Sequence, residues 1–488
     1  MAEKAPNTSV IQHAQAADDP LLVTWNGDED PSNPRNWPFR RRWFTAALVS
    51  LFTFMTPIAL SMVVPSLPQV GEDLDIHSSF TLQLIFSLFL LSFIVGPFII
   101  GPMSELYGRR IILQLANVFF LLFTLLCGFA RSEGELIAFR ILSGLGGCAP
   151  QAIGGGVIGD LFSAEERGKA VALYSLAPLL GPALGPLAGG FVAEHSTWRW
   201  SFWSVVIVGV VVELLLLRYL KETYAPRILY LKAKDLRLKT GDPSLRTKFE
   251  LDDRTLATVL SRALVRPLRL LSTQIIVQFL AIYMAVIYGI CYLMTSTFAA
   301  LWIDVYAQSL STSGLHYLAI AAGLLAGMAI SGRASDWIYG RLKARSVTNT
   351  GNPEMRIPLL FVGVLIVAGG LLIYGWSAAY HVHWIVPDLG VAVFSAGAGM
   401  SFAALQMYTI DAYTQYAASA ISATAVTRSV AGFAFPLFAP AMYKALGYGW
   451  GNSVLALAAI AIGLPGASVL WFYGASLRRL SPYASDRT

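Results

Sequence analysis

Apolar runs of about twenty residues recur along the chain, separated by short polar stretches. They lie near 43–65, 80–101, 111–130, 134–159, 168–192 and 199–219, then near 270–299, 312–332, 357–376, 384–410, 416–443 and 450–474. Each is long enough, as a helix, to cross roughly 30 Å of hydrocarbon. The pattern predicts an all-α membrane protein with twelve transmembrane helices, six on each side of a polar interval. Its expected divisions are a polar tail (1–42), a six-helix bundle (43–219), a basic linker (220–269), a second six-helix bundle (270–474) and a short tail (475–488).

Charge sharpens the picture. Only 13% of the residues are charged and 56% are hydrophobic, whereas a soluble chain carries about a quarter charged residues. That is too little to coat a water-facing surface of this size. With the N-terminus set in the cytoplasm, 30 of the 35 Lys and Arg fall in cytoplasmic segments, against Arg131, Arg199 and Lys444 outside. The positive-inside rule then predicts a multi-pass cell-membrane protein with both termini cytoplasmic. The net charge of +6 belongs to loops that face anionic lipid, so no nucleic-acid partner is expected. Cys127, Cys148 and Cys291 are widely spaced in apolar stretches, a pattern of buried thiols rather than of metal ligands.

The halves echo one another. "GPMSELYGRR" follows the second span, with Gly101, Glu105, Gly108 and Arg109; "GRASDWIYGR" follows the eighth, with Gly332, Asp336, Gly340 and Arg341. Duplicated six-span halves are a transporter architecture, with the site near the bilayer midplane between them. Glu105 and Arg109 stand four apart and would pair on a continuous helical turn. Asp160, ending the fourth span, is a candidate partner for Arg109.

"GPALGPLAGG" sits in the fifth span. Gly181, Gly185 and Gly189 fall on one face, where small residues let helix backbones approach closely in lipid. Pro182 and Pro186 remove backbone donors and bend the helix, and Gly190 extends the strip. A tight, kinked helix–helix seam is expected there.

Together, and in order, these stretches resemble the major facilitator superfamily, and within it the fungal twelve-span drug:proton antiporters. The fifth-span run resembles that family's antiporter motif at Gly181, Gly185, Pro186, Gly189 and Gly190. "GPMSELYGRR" resembles the superfamily's loop motif, with Glu105 where Asp is more usual. "RILSG" resembles the fourth-span motif at Arg140 and Gly144, with Ser143 in place of the common Gln. "WNGDEDPSNPRNW", "ETYAP" and "PEMRIP" resemble markers of the fungal branch. The resemblance implies the major facilitator fold. It also implies that Glu105 meets the start of the eleventh span near Tyr416, latching the halves together.

Polar residues inside spans are the candidates for a site. Arg140 shares a helical face with Gly144, Gly147, Gln151 and Gly155, which reads either as a cavity wall or as an arginine snorkelling outward. Gln274, Gln278, Tyr288, Tyr292 and Thr295 line one face of the seventh span, and Phe402, Gln406 and Thr409 one face of the tenth. Such a mixture suits flat or amphipathic organic molecules. For a proton carrier the first span offers no acid. Glu213 on the sixth is the first candidate, unless it pairs with Arg218, followed by Asp160, Asp388 and Asp411 near span ends.

The expected function is proton-coupled efflux of a small organic compound, such as a drug, toxin or secondary metabolite, by alternating access; the alternative is a gradient-independent facilitator or importer. The expected ligands are that compound and protons, acting on a monomer in the bilayer. No P-loop is present, no cofactor or metal is expected, and no nucleophile–base spacing suggests an enzyme.

Overall fold

The computed structural model describes residues 21–484, apart from 28, 164–165, 251–255 and 346–350; within them every regular element is a helix. The first six crossings are α1 (Phe39–Ser61), α2 (Ser79–Tyr107), α3 (Arg109–Phe129), α4 (Glu133–Leu161), α5 (Arg167–His195) and α6 (Trp200–Tyr219). The next four are α7 (Ile275–Ala300), α8 (Leu310–Arg345), α9 (Pro358–Ala379) and α10 (Ile385–Ala412). The final helix runs Ala417–Leu480 but breaks at Gly447, whose φ of 68° and ψ of 175° are not helical. Only glycine adopts that conformation freely. The break yields α11 (417–446) and α12 (448–480), so eleven long apolar helices make twelve crossings.

Packing repeats between the halves. In the first, α1 lies on α5, α2 on α4 and α3 on α6; in the second, α7 lies on α11, α8 on α10 and α9 on α12. The halves meet where α5 touches α8 and α2 touches α11. Exposed Leu115, Val118, Leu122, Val211, Leu214, Leu365, Leu457 and Phe472 make an apolar perimeter fit for lipid.

Among the boundaries that differ from the hydropathy pattern, two have a plain physical reason. Gln274 is extended (φ −107°, ψ 108°), so α7 starts five residues later than expected, after a separate linker helix, Leu256–Thr273. At 36 residues α8 is longer than a bilayer needs. Its polar end continues beyond the apolar segment that hydropathy detects.

Residues 21–37 are not a loose tail but fold onto the linker helix Ala225–Thr240. Leu22 and Arg246 form a bridge, and Lys232 Nζ donates to Thr24 O (2.8 Å) and Asn26 Oδ1 (2.9 Å). Asp30 accepts from the backbone N–H of Asn26 and Ser32, at 2.7 and 2.8 Å. These bonds, with Lys232 nearby, hold its carboxyl far below the usual carboxylate range. The described parts of both terminal segments lie on the linker's side of the bundle, since Tyr483 rests against Tyr416 at the start of α11.

Candidate functional site

A cavity of about 660 Å³ lies between the halves and opens on the linker side. Its walls are the linker-side parts of α2 and α11, with Gln151 on α4 and Tyr288 on α7; Glu105, Tyr224 and Arg266 stand at the mouth. The size suits a small organic molecule.

Its deep end is built from aromatic rings and one cation. Arg428, eleven residues into α11, stacks over Tyr288 at 5.3 Å, and its Nε has no hydrogen-bond partner among the described residues. The Tyr288 hydroxyl donates to that of Tyr292 (3.4 Å), and Phe402 meets Tyr288 edge-on at 6.1 Å. Thus Gln151 and Tyr288 line the cavity, while Tyr292 and Phe402 stand directly behind Tyr288. Beyond them Phe86 packs on Tyr292 and Leu90 approaches Gly432, closing α2 against the second half.

The other expected cavity residues lie elsewhere. Arg140 is 1% exposed among α1, α2 and α4. It donates to Ala59 O (3.1 Å), Leu60 O (3.0 Å) and Ile85 O (3.0 Å), under the rings of Phe89 and Phe202. Ala59 and Leu60 carry carbonyls of the last turn of α1, which lack helical partners, and a cation caps them well. Arg140 therefore neither snorkels nor lines the cavity. Gln278 turns back to Ser272 O (3.1 Å) at the start of α7, and Gln406 is exposed, outside the cavity lining.

The candidate acids are similarly dispersed. Glu213 accepts from Asn117 Nδ2 at 2.7 Å between α3 and α6, away from the cavity, and does not pair with Arg218. Asp160 accepts from Arg109 Nε (3.3 Å) and the Thr223 hydroxyl (3.4 Å). Asp411 accepts from Arg356 Nε at 3.3 Å. Both sit at linker-side helix ends, bonded to arginine.

The loop motif is arranged differently from the spacing argument. Gly108, at φ 100°, separates α2 from α3, so Glu105 and Arg109 share no helical turn and do not pair. Arg109 instead joins Asp160, Ser104 Oγ (2.9 Å) and the face of Tyr224. Glu222, from "ETYAP", accepts from the backbone N–H of Arg109 and Arg110 (2.9 and 3.2 Å), capping α3. A Cβ at Gly108 would strike that carboxylate. Gly101 has open space beside it. Glu105 makes no hydrogen bond or ion pair among the described residues; it faces the cavity mouth, which Ala418 and Ser419 of α11 also line.

The glycine strip of α5 serves two neighbours. Cβ atoms at Gly181, Gly185 and Gly189 would collide with Pro57, with Ser61 and Ile58 O, and with Met62 O, all at the end of α1 in the same half. Pro182 and Pro186 lie within the continuous helix. Gly190 instead abuts Leu310 O at the start of α8, and Glu194 accepts from Ser311 N–H at 2.5 Å. This seam closes the side opposite the linker.

The Major Facilitator Superfamily model matches residues 49–436. The chain is 45% identical to the efflux pump vrtL of Penicillium aethiopicum, over 96% of this chain and 92% of that one. It is 43% identical to the uncharacterized transporter C1529.01 of Schizosaccharomyces pombe, over 98% of each. It is 40% identical to the efflux pump radE of Floropilus chiversii, over 96% and 87%. In fold it is similar to the xylose transporter XylE from E. coli, with a TM-score of 0.64 at 16% identity over 88% of this chain and 97% of that one. The twelve crossings in two matched halves, the cavity between them and this likeness along the chain make one assignment: the protein belongs to the Major Facilitator Superfamily.

Proposed function

We propose that this transporter exports a small organic compound across the plasma membrane by alternating access, drawing on the proton gradient, as a monomer with both termini in the cytoplasm. The halves 43–219 and 270–474 would rock about the site, joined by the linker 220–269. The observation that carries the reading is the Tyr288–Arg428 pair at the closed end of a cavity open to the linker side. A flat, amphipathic molecule could enter from that side, stack on Tyr288 and offer an acidic or phenolic group to Arg428. Fungal relatives named efflux pumps support the direction. The test is flux in reconstituted vesicles. Export against a concentration gradient should follow an imposed proton gradient and stop with an uncoupler; equilibration indifferent to the gradient would instead mean a facilitator.

A further inference from the structure

Glu213, Asp160 and Asp411 do not line the cavity, and the fourth candidate acid, Asp388, belongs to a buried histidine–carboxylate pair at the other end of the second half. His316, in the first turns of α8, places Nδ1 2.6 Å from Asp388 Oδ2 in the first turn of α10. Its Nε2 lies 2.7 Å from Gln308 Oε1. The two side chains are 7% and 14% exposed. The imidazole is stacked flat on Trp302, with centroids 3.7 Å apart and planes 9° from parallel, and Trp384 covers its edge. Trp302 belongs to a π-helical segment, Leu301–Val305, that extends α7; such segments often occur at functional sites.

Both ring nitrogens face oxygen atoms, and only the imidazolium has two N–H groups to donate. A protonated ring donates to both oxygens, with the indole face supporting its charge. Losing that proton leaves one nitrogen lone pair against an oxygen, and leaves Asp388 buried without a cation. Asp388 Oδ1 already has no hydrogen-bond partner among the described residues. A buried carboxylate without a cation is costly, and the Gln308 amide must turn its NH2 towards a neutral ring, so the surroundings shift when the proton leaves. The other ionisable groups around the pair are Tyr306 just after α7, Tyr374 on α9 and His383 behind Trp384. No Lys or Arg bonds to Asp388 among the described residues.

Gln308 connects this pair to the seam between the halves. Its N–H donates to Trp302 O at 2.9 Å, after Ala307 at φ 52°, a conformation uncommon outside glycine. Ser309 follows and caps the start of α8 through Thr312 N–H. Next come Leu310, against Gly190, and Ser311, whose N–H is held by Glu194. Only Ser309 thus separates the histidine's partner from Leu310, the first residue of the contact that shuts this side.

We propose that His316 and Asp388 form a proton-binding site whose occupancy holds residues 308–311 against α5, closing the side opposite the linker. Its place in a transport cycle rests on the proton-driven export reading above. A proton from the opposite-side solution binds His316, the seam closes, and the cavity then faces the linker side, as in this structure.

The experiment needs no transported compound. Full-length protein in lipid nanodiscs carries Leu310→Cys at the seam or, as a reference, Tyr380→Cys, at a position that is 73% exposed on the same side. A membrane-impermeant maleimide is applied across about pH 5.5 to about pH 8. The ratio of the two labelling rates cancels the thiol's own titration. That ratio should rise by about tenfold towards alkaline pH. His316→Gln and Asp388→Asn should flatten it. Gln308→Leu keeps the pair but cuts its link and should flatten the ratio as well, so the test survives if a pair variant fails to fold. A flat wild-type ratio overturns the site, as does His316→Gln or Gln308→Leu titrating with the wild-type midpoint. Vesicle flux separates the two readings. A flat ratio with proton-driven flux removes this site and leaves export standing; a titrating ratio without flux does the reverse.

Discussion

Arg356 meets Asp411 across 3.3 Å, the same length that separates Arg109 from Asp160 in the first half. The likeness extends further. Each arginine donates to a serine hydroxyl at 2.9 Å, Ser335 or Ser104, and each lies over a tyrosine, Tyr339 or Tyr224. The acids end α10 and α4, corresponding helices of the two halves. A linker-side arginine clasp is therefore built twice.

The sequence repeat pairs Arg109 with Arg341, whereas the geometry pairs it with Arg356. Among the described residues Arg341 only stacks on Trp337, which is itself exposed. Arg356→Ala should therefore cost about 1–3 kcal/mol in lost charge-assisted hydrogen bonds and lower flux several-fold, while Arg341→Ala leaves both near wild type. Thermal unfolding in detergent and vesicle flux check this. Equal losses at the two positions would end the assignment.

Arg140 should behave as a structural residue. Arg140→Ala uncaps α1 and leaves buried carbonyls unpaired, at a cost of about 1–3 kcal/mol for each group stranded. Arg140→Lys should recover little, because a point charge cannot span three acceptors held in a fork. Unfolding temperature is the measurement, read before transport. An unchanged temperature with flux abolished would move Arg140 back among the functional residues.

How far the sequence reveals these features depends on how local they are. The twelve crossings are legible because a twenty-residue apolar run has one stable fate in lipid. The Arg109–Asp160 contact is legible because a loop arginine and a span-end acid fall on the same side of the membrane. Arg356 is not, since it ends a short 3-10 helix, Pro353–Arg356, just before α9, which the linear repeat cannot register. Arg140 reads as a cavity residue because the helical face it shares with Gln151 is broken at Cys148, where α4 divides into two segments. His316 is a lone histidine in an apolar span. Its partner is 72 residues away, and no spacing rule connects them.

At the cavity's deep end, Arg428 is the cation available to a ligand. Arg428→Gln should raise KM about tenfold or more for an anionic or phenolic compound, since a hydrogen bond to a charged group contributes about 1.5–3 kcal/mol. A neutral compound of the same shape should be little affected. Tyr288→Leu should weaken both, because stacking does not depend on ligand charge. Competition between such a pair of compounds is the assay. Equal losses for both at Arg428→Gln would make its role structural.

The N-terminal knot has a defined pH response. Asp30 is held far below the usual carboxylate range by the Asn26 and Ser32 backbone donors. A depressed folded pKa adds stability above the unfolded value of about 3.9 and loses it only as pH falls through the folded value. Proteolysis within residues 21–37 should therefore proceed equally slowly at about pH 7 and about pH 5 with an acid-tolerant protease. Asp30→Ala should speed it several-fold at both. Faster cleavage of the wild type at about pH 5 would show that another group controls the knot.

Gly189 and Gly190 are adjacent but face different neighbours, which separates packing from gating. A leucine at 189 would strike Met62 O, within the first half. That contact moves with its own bundle, so the strain is the same whichever side is open, and stability should fall with the conformational balance unchanged. A leucine at 190 would strike Leu310 O, across the seam. That clash exists only while the side opposite the linker is closed. Overpacking costs about 1–3 kcal/mol, enough to shift a two-state balance by about 5–150-fold. Gly190→Leu should thus hold the opposite side open and slow turnover, with substrate affinity largely retained. Single engineered cysteines on each side, labelled with an impermeant reagent, would show the bias. If Gly189→Leu shifted accessibility while Gly190→Leu did not, the α5–α8 seam would not be the moving contact, and the clasp on the linker side would become the better place to look for the gate.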